Sequence, residues 1–256
     1  MNKAVEKQSQ RPAKFSEEEW NVRVDLAAAY RLIHHYGMTD LIYTHISARV
    51  PGKDEHFLIN PMGWMFDEVT ASSLVKIDLE GNNVDGTNTP INYAGFVIHS
   101  AVHAARHDVQ CVLHTHTAAG MAISMLEGGL QPLSQHAQLF YGAVAYHGYE
   151  GIALDTDERK RLVNDLGDKP VLILRNHGLL TAGSTVGHAF SYMYHLEKAC
   201  QAQLLAMGTG QKLVTPPKEV SEKTRAQVTS PKVSIGRQEW PGLLRMLDRI
   251  DSSYRT

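Results

Sequence analysis

The chain is poor in cysteine, in long apolar runs and in net charge. Only Cys111 and Cys200 occur among its 256 residues, too few for a disulfide framework or a cysteine-based zinc site. Both lie in apolar stretches, which fits buried thiols in a reducing compartment. No apolar stretch approaches the ~20 residues that span a bilayer; the longest lies around Ala119 to Leu126. The opening MNKAVEKQSQRPAKF has no apolar core of a signal peptide, so a cytoplasmic protein is expected. Lys and Arg number 25 against 27 Asp and Glu, a formal net charge of −2. Such a balance gives no reason to expect nucleic acid or a membrane as partner. GxxxxGK[ST] and GxSxG are absent, and no GxGxxG follows a strand pattern. Phosphate-loop and serine-hydrolase readings therefore fall away.

What the chain has in excess is histidine, 14 residues, the commonest metal ligand and the side chain that carries protons near neutral pH. Their placement depends on the order of elements. Residues 1–14 read as a flexible arm. Ser16 and Glu19 have capping-box spacing, and Phe15 and Trp20 form a hydrophobic staple, so a helix is expected from Glu17 to about Tyr36 with Gly37 as its stop. Ile42 to Val50 and His56 to Ile59 flank Pro51-Gly52-Lys53-Asp54 and predict a hairpin. Val75 to Leu79 predicts a further strand. Phe96, Val97, Ala101 and Ala104 recur at helical spacing within Asn92 to Arg106. Strands are expected at Val109 to Thr117, Tyr141 to Tyr146, Pro170 to Leu174 and Leu179 to Ala182, and helices at Thr117 to Met125 and Thr185 to Met207. This mixture lacks a strict βαβ rhythm, which favours an α/β layered sheet with antiparallel pairs over a doubly wound one. Residues 15–210 read as one domain. The tail, residues 211–256, is basic; its Pro-rich first part is expected to be extended, and Glu239 to Tyr254 carries enough apolar surface for one docked helix.

His114-Thr115-His116 ends a strand pattern, and side chains at i and i+2 of a strand point to one face. Two such imidazoles make half of a metal site, or simply two hydrogen-bonded polar residues at a strand end. Asn176-His177-Gly178, where a buried strand becomes a turn, is the best source of a third ligand. Three neutral imidazoles suit Zn²⁺ and leave a coordination position open. His99 and His103, at i and i+4 of a helix, are a competing metal pair, but no Glu lies between them as in HExxH. His34 and His35 read as helix-end residues, and His45, His136 and His147 as structural or pocket-lining.

Thr44-His45-Ile46-Ser47-Ala48-Arg49, Ile59-Asn60-Pro61-Met62-Gly63, His114-Thr115-His116 and Asn176-His177-Gly178-Leu179-Leu180, in that order, resemble the class II aldolase/adducin family over about residues 16–208. The resemblance implies a three-layer α/β/α domain around a central mixed, largely antiparallel sheet, often assembled as a C4 tetramer. It also implies Zn²⁺ on His114, His116 and His177. Sugar-phosphate aldolases of this family carry an acid/base carboxylate 19 positions before the first of these histidines; here that position is Gly95. Tyr93 and Ala94 replace two phosphate-binding serines, Thr44-His45 a Gly-Asn pair, and Met62 a threonine, so a phosphorylated substrate is not expected. Loss of a general base costs aldol cleavage about 10²–10⁴-fold unless another group substitutes. His99, one turn after Gly95 with its side chain leaning back along the helix, is the first candidate substitute; Tyr254 on the tail is the second.

The expected function is a metal-dependent carbon–carbon lyase, aldolase- or decarboxylase-type, acting on a small unphosphorylated hydroxy-oxo acid or carboxylate. An adducin-like scaffold and a metal-containing small-molecule sensor are the alternatives.

Overall fold

The computed structural model describes residues 11–52, 55–151, 157–230, 233 and 235–256. Most of the expected N-terminal arm lies outside them, as do Lys53 and Asp54 of the hairpin turn.

The strands are β1 (His45–Arg49), β2 (Phe57–Ile59), β3 (Val75–Ile77), β4 (Cys111–Thr115), β5 (Val144–His147), β6 (Val171–Leu174) and β7 (Gly178–Gly183). They form one sheet in the order β3-β2-β1-β4-β7-β6-β5. Only β5 and β6 run parallel; the other neighbours are antiparallel. The helices are α1 (Glu17–His35), α2 (Tyr93–Ala105), α3 (Ala118–Met125), α4 (Gln135–Gln138), α5 (Glu158–Leu166), α6 (Val186–Gly208), α7 (Lys218–Val228) and α8 (Trp240–Ile250).

Strand alternation sorts the core into two layers. Ile46, Ala48, Cys111, Leu113, Val171, Ile173 and Leu179 pack with α1 and α6 on one face. Val112, Leu172, Leu174, Leu180 and Ala182 pack with Ile98 and Val102 of α2 and Leu162 and Leu166 of α5 on the other. The architecture is the expected three-layer α/β/α fold around a mixed, largely antiparallel sheet. Ser16 caps α1 by accepting from Glu19 N at 3.1 Å, and Phe15 stacks on Trp20 with ring centroids 5.5 Å apart, as the staple spacing implies.

Several expectations need correction. The first strand begins at His45 rather than Ile42, because Leu41 has φ +47° and Tyr43 N closes a turn onto Asp40 O. Likewise β5 begins at Val144, after Gly142 turns the chain at φ +68°. The helix α5 was not expected at all; its apolar positions, Leu162 and Leu166, are few but fully buried. The first part of the tail, residues 211–217, holds no helix or strand, but after Pro217 an unexpected helix, α7, forms, supported by a Lys218–Glu222 ion pair at i, i+4 and by Arg225 donating to Leu139 O at 2.9 Å. The last helix stops at Ile250, where Asp251 is extended, and a 3₁₀ turn over Ser252–Arg255 follows. Trp240, Leu247 and Tyr254 from this region are buried in the main core. Gly187 on α6 makes room for Trp240, whose ring would lie 2.8 Å from any Cβ there.

Candidate metal centre

The centre forms where three strand ends meet. The backbone turn between β6 and β7 is carried by Asn176 at φ +56° rather than by Gly178; Asn is among the residues that tolerate this region. Gly178 does something else. A Cβ at Gly178 would lie 2.4 Å from Thr115 O, so its lack of a side chain lets the start of β7 close onto the end of β4. That approach carries His177 over His114 and His116.

The three Nε2 atoms converge. His114 Nε2 lies 2.8 Å from His116 Nε2, which lies 2.9 Å from His177 Nε2. Among the described residues, this trio is the one group of three or more histidine, cysteine or acidic side chains gathered closely enough to share an ion. His114 is buried, while His116 and His177 are partly exposed and give the centre an opening. Backbone and carboxylate partners fix the rings from behind. His114 Nδ1 donates to Leu179 O at 2.9 Å, and His116 Nδ1 donates to Asp40 Oδ2 at 2.8 Å. A carbonyl and a carboxylate only accept, so in the neutral rings both Nδ1 carry the proton and both Nε2 present lone pairs. Lone pairs facing each other at these distances repel unless a cation lies between them. Burial, reinforced by the neighbouring imidazoles, holds His114 well below the usual histidine range and His177 down to about 4. Neutral rings in this tautomer are the form that binds a divalent ion. The residues present therefore fit a metal.

Of the other predicted residues, His45 lies beside this trio and His99 lies behind His45. Antiparallel pairing sets His45 of β1 directly opposite His114 of β4. The His45 ring lies over Gly95, close enough that a Cβ there would sit 2.5 Å from it, with ring centroids 5.4 Å from His114 and 4.3 Å from His99. Behind it, Ser47 Oγ lies 2.8 Å from both His99 Nδ1 and His103 Nε2. His99 and His103 thus share a hydroxyl rather than converging as metal ligands. Burial is the main cause that holds His45 and His99 well below the usual range and takes His103 down to about 3. Tyr254 is not brought to the trio: it is buried with α1, and its hydroxyl donates to Asp248 Oδ1 at 2.8 Å. His147 belongs to a separate cluster, with Nδ1 2.7 Å from Asp165 Oδ2. Sequence reasoning missed Asp40 altogether. Its only sequence signal is a lone acid in the loop after α1.

Residues 24–204 match the family described as Class II Aldolase and Adducin N-terminal domain. The chain belongs to the class II aldolase/adducin family. A solved aldolase II superfamily protein from Pseudomonas syringae is 57% identical with a TM-score of 0.89, over 94% of this chain and 98% of that one. L-fuculose 1-phosphate aldolase from Glaciozyma antarctica PI12 is 31% identical with a TM-score of 0.82, over 97% of this chain and 98% of that one. Alpha-adducin of Rattus norvegicus is 45% identical, over 92% of this chain and 34% of the adducin. Class II aldolases are metal-dependent, and in this family member the three-histidine centre is the place that fits an ion. No helix among the described residues is long and apolar enough to cross a membrane.

Proposed function

We propose that this family member is a metal-dependent carbon–carbon lyase, aldolase- or decarboxylase-type, acting on a small unphosphorylated hydroxy-oxo acid or related carboxylate. The observation that carries the reading is the convergence of three Nε2 atoms, with the His114 and His116 tautomers set by Leu179 O and Asp40. His114, His116 and His177 would hold the ion, for which Zn²⁺ is our choice on ligand type and number. When bound, the ion supplies Lewis acidity that stabilises the enolate charge left when the carbon–carbon bond breaks.

The protein's own residues favour an anionic substrate. Three neutral imidazoles leave the charge of a divalent ion uncompensated, save for Asp40 behind His116, so a carboxylate is drawn to the centre. Gly95 supplies no base. Decarboxylation suits that gap, because departing CO₂ leaves its electron pair on carbon without proton abstraction. For aldol cleavage a proton must leave the substrate hydroxyl; we assign His99 a positioning role in that step, since its ring packs behind His45 with centroids 4.3 Å apart and no hydrogen bond between the two rings. His99→Gln is then expected to lower turnover and shift the pH profile. Unchanged turnover would remove His99 from the scheme. A cytoplasmic C4 tetramer completes the proposal, supported by the family resemblance.

The test is metal content by mass spectrometry on untagged protein, wild type beside His114→Ala/His116→Ala, followed by a screen of unphosphorylated hydroxy-oxo acids. About one zinc per wild-type chain, lost in the variant, is expected. A wild type that stays empty after zinc addition refutes the reading. The similarity to alpha-adducin would then favour a scaffold, although a scaffold has no physical need for three converging imidazoles.

A further inference from the structure

The space where an acidic side chain would stand at position 95 is not empty. The His45 ring fills it, with Nδ1 and Cε1 each 2.5 Å and Nε2 2.6 Å from the place a Cβ would take. Gly95 and His45 are therefore coupled: the ring needs the glycine, and any larger residue at 95 needs the ring moved. The local structure holds this arrangement. Asn92 caps α2 by accepting from Gly95 N at 3.3 Å, and its Nδ2 donates to Tyr43 O at 3.3 Å, tying the start of the helix to the segment that leads into His45.

His45 is 3% exposed, yet neither ring nitrogen makes a well-formed hydrogen bond. The Tyr43 backbone carbonyl influences the ring and can occupy one nitrogen at most. Buried polar atoms without partners are uncommon and call for an explanation, such as a ligand. The imidazole stands beside His114 and on the same face of the sheet, since the two residues are register partners.

We propose that His45 is a substrate-binding residue that replaces the missing side chain at position 95: its uncommitted nitrogen hydrogen-bonds an oxygen of a small oxo- or hydroxy-carboxylate seated on the His114–His116–His177 centre. This rests on the metal-centre reading above. A neutral imidazole offers one N–H and one lone pair, so it serves either a carboxylate or oxo oxygen as donor or a hydroxyl as acceptor. It discriminates against a phosphate-bearing chain by bulk, because the ring takes up the room. The His45–Gly95 pair is thus a specificity device, and His99, 4.3 Å behind, is its positioning residue.

The experiment uses the full chain loaded with Zn²⁺ and oxalate as the probe, with binding read by calorimetry and metal content measured on the same samples. The variants are His45→Ala, His45→Gln, Gly95→Ala and the double His45→Ala/Gly95→Ala. All are expected to keep the wild-type metal content. Oxalate affinity is expected to fall about 10- to 100-fold in His45→Ala, the range for losing a hydrogen bond to a charged group. His45→Gln, which retains a donor and is the milder change to the fold, should lose less. Gly95→Ala should match His45→Ala by displacing the ring, and the double variant should be no worse than either single one. A His45→Ala protein that keeps its metal and binds oxalate within about twofold of wild type overturns the role of His45 and leaves the metal centre standing. A wild type that binds zinc but not oxalate overturns the substrate-binding role and leaves the metal centre standing, whereas a wild type that takes no zinc overturns the metal-centre reading on which the role rests.

Discussion

Asp40 carries the sharpest prediction about the centre, because it acts without touching the ion. Its Oδ2 accepts from His116 Nδ1 at 2.8 Å, and that bond keeps the proton off Nε2. A hydrogen bond to a charged partner contributes about 1.5–3 kcal/mol when buried. The Asp40 side chain is 42% exposed, so solvent screening brings the expectation to the low end, about 1.4 kcal/mol, or tenfold in affinity. Asp40→Asn retains an acceptor oxygen and should lose about tenfold in zinc affinity. Asp40→Ala frees the ring to place its proton on Nε2, where it blocks ligation, and should lose more, approaching 100-fold. The assay is a competition titration against a chromophoric chelator at pH 7.5. Asp165→Asn serves as control, since Asp165 holds His147 in the same manner away from the trio. Zinc affinity in Asp40→Ala within about twofold of wild type would refute the argument that tautomer control organises the centre.

Three further predictions concern the frame. His103, held down to about 3 by burial and by Arg49, stays neutral in the folded chain while the unfolded chain takes up a proton below about 6.5. Its contribution to stability is therefore full above that pH and lost on acidification toward 3. From pH 7 to 5 the wild type should lose about 2 kcal/mol more than His103→Gln, measured by urea unfolding; equal losses would contradict the assignment. At Gly183 a Cβ would lie 2.4 Å from Ala189 N, a backbone atom that cannot swing away. Gly183→Ala should then cost about 1–3 kcal/mol, and an unchanged melting temperature would count against the close packing of α6 on β7. Trp240 anchors the tail through its buried ring and an Nε1 bond to Asp25 Oδ1 at 3.0 Å. Trp240→Ala should cost about 3 kcal/mol and expose the tail to limited proteolysis, whereas a wild-type cleavage pattern would argue that the tail docks without it.

The amino-acid sequence by itself determined whatever depends on neighbours in the chain. Capping and stapling at Phe15, Ser16 and Trp20 start α1, alternation marks the strands, and the His-x-His spacing places two imidazoles on one side of β4. The strand-to-turn signal at Asn176-His177-Gly178 was legible for the same reason, although the left-handed residue proved to be Asn176. Where local signals were weak the reading failed: α5 buries only a few apolar residues, and the prolines before α7 masked a segment of good helix formers. Only the tertiary structure decided the partners across long stretches of chain. The pairing of β1 with β4 sets His45 against His114, and the loop after α1 brings Asp40 to His116. The docking of α2 places Gly95 under the His45 ring. These contacts join residues 50 to 76 positions apart, fixed by sheet register and core packing, which no local pattern encodes.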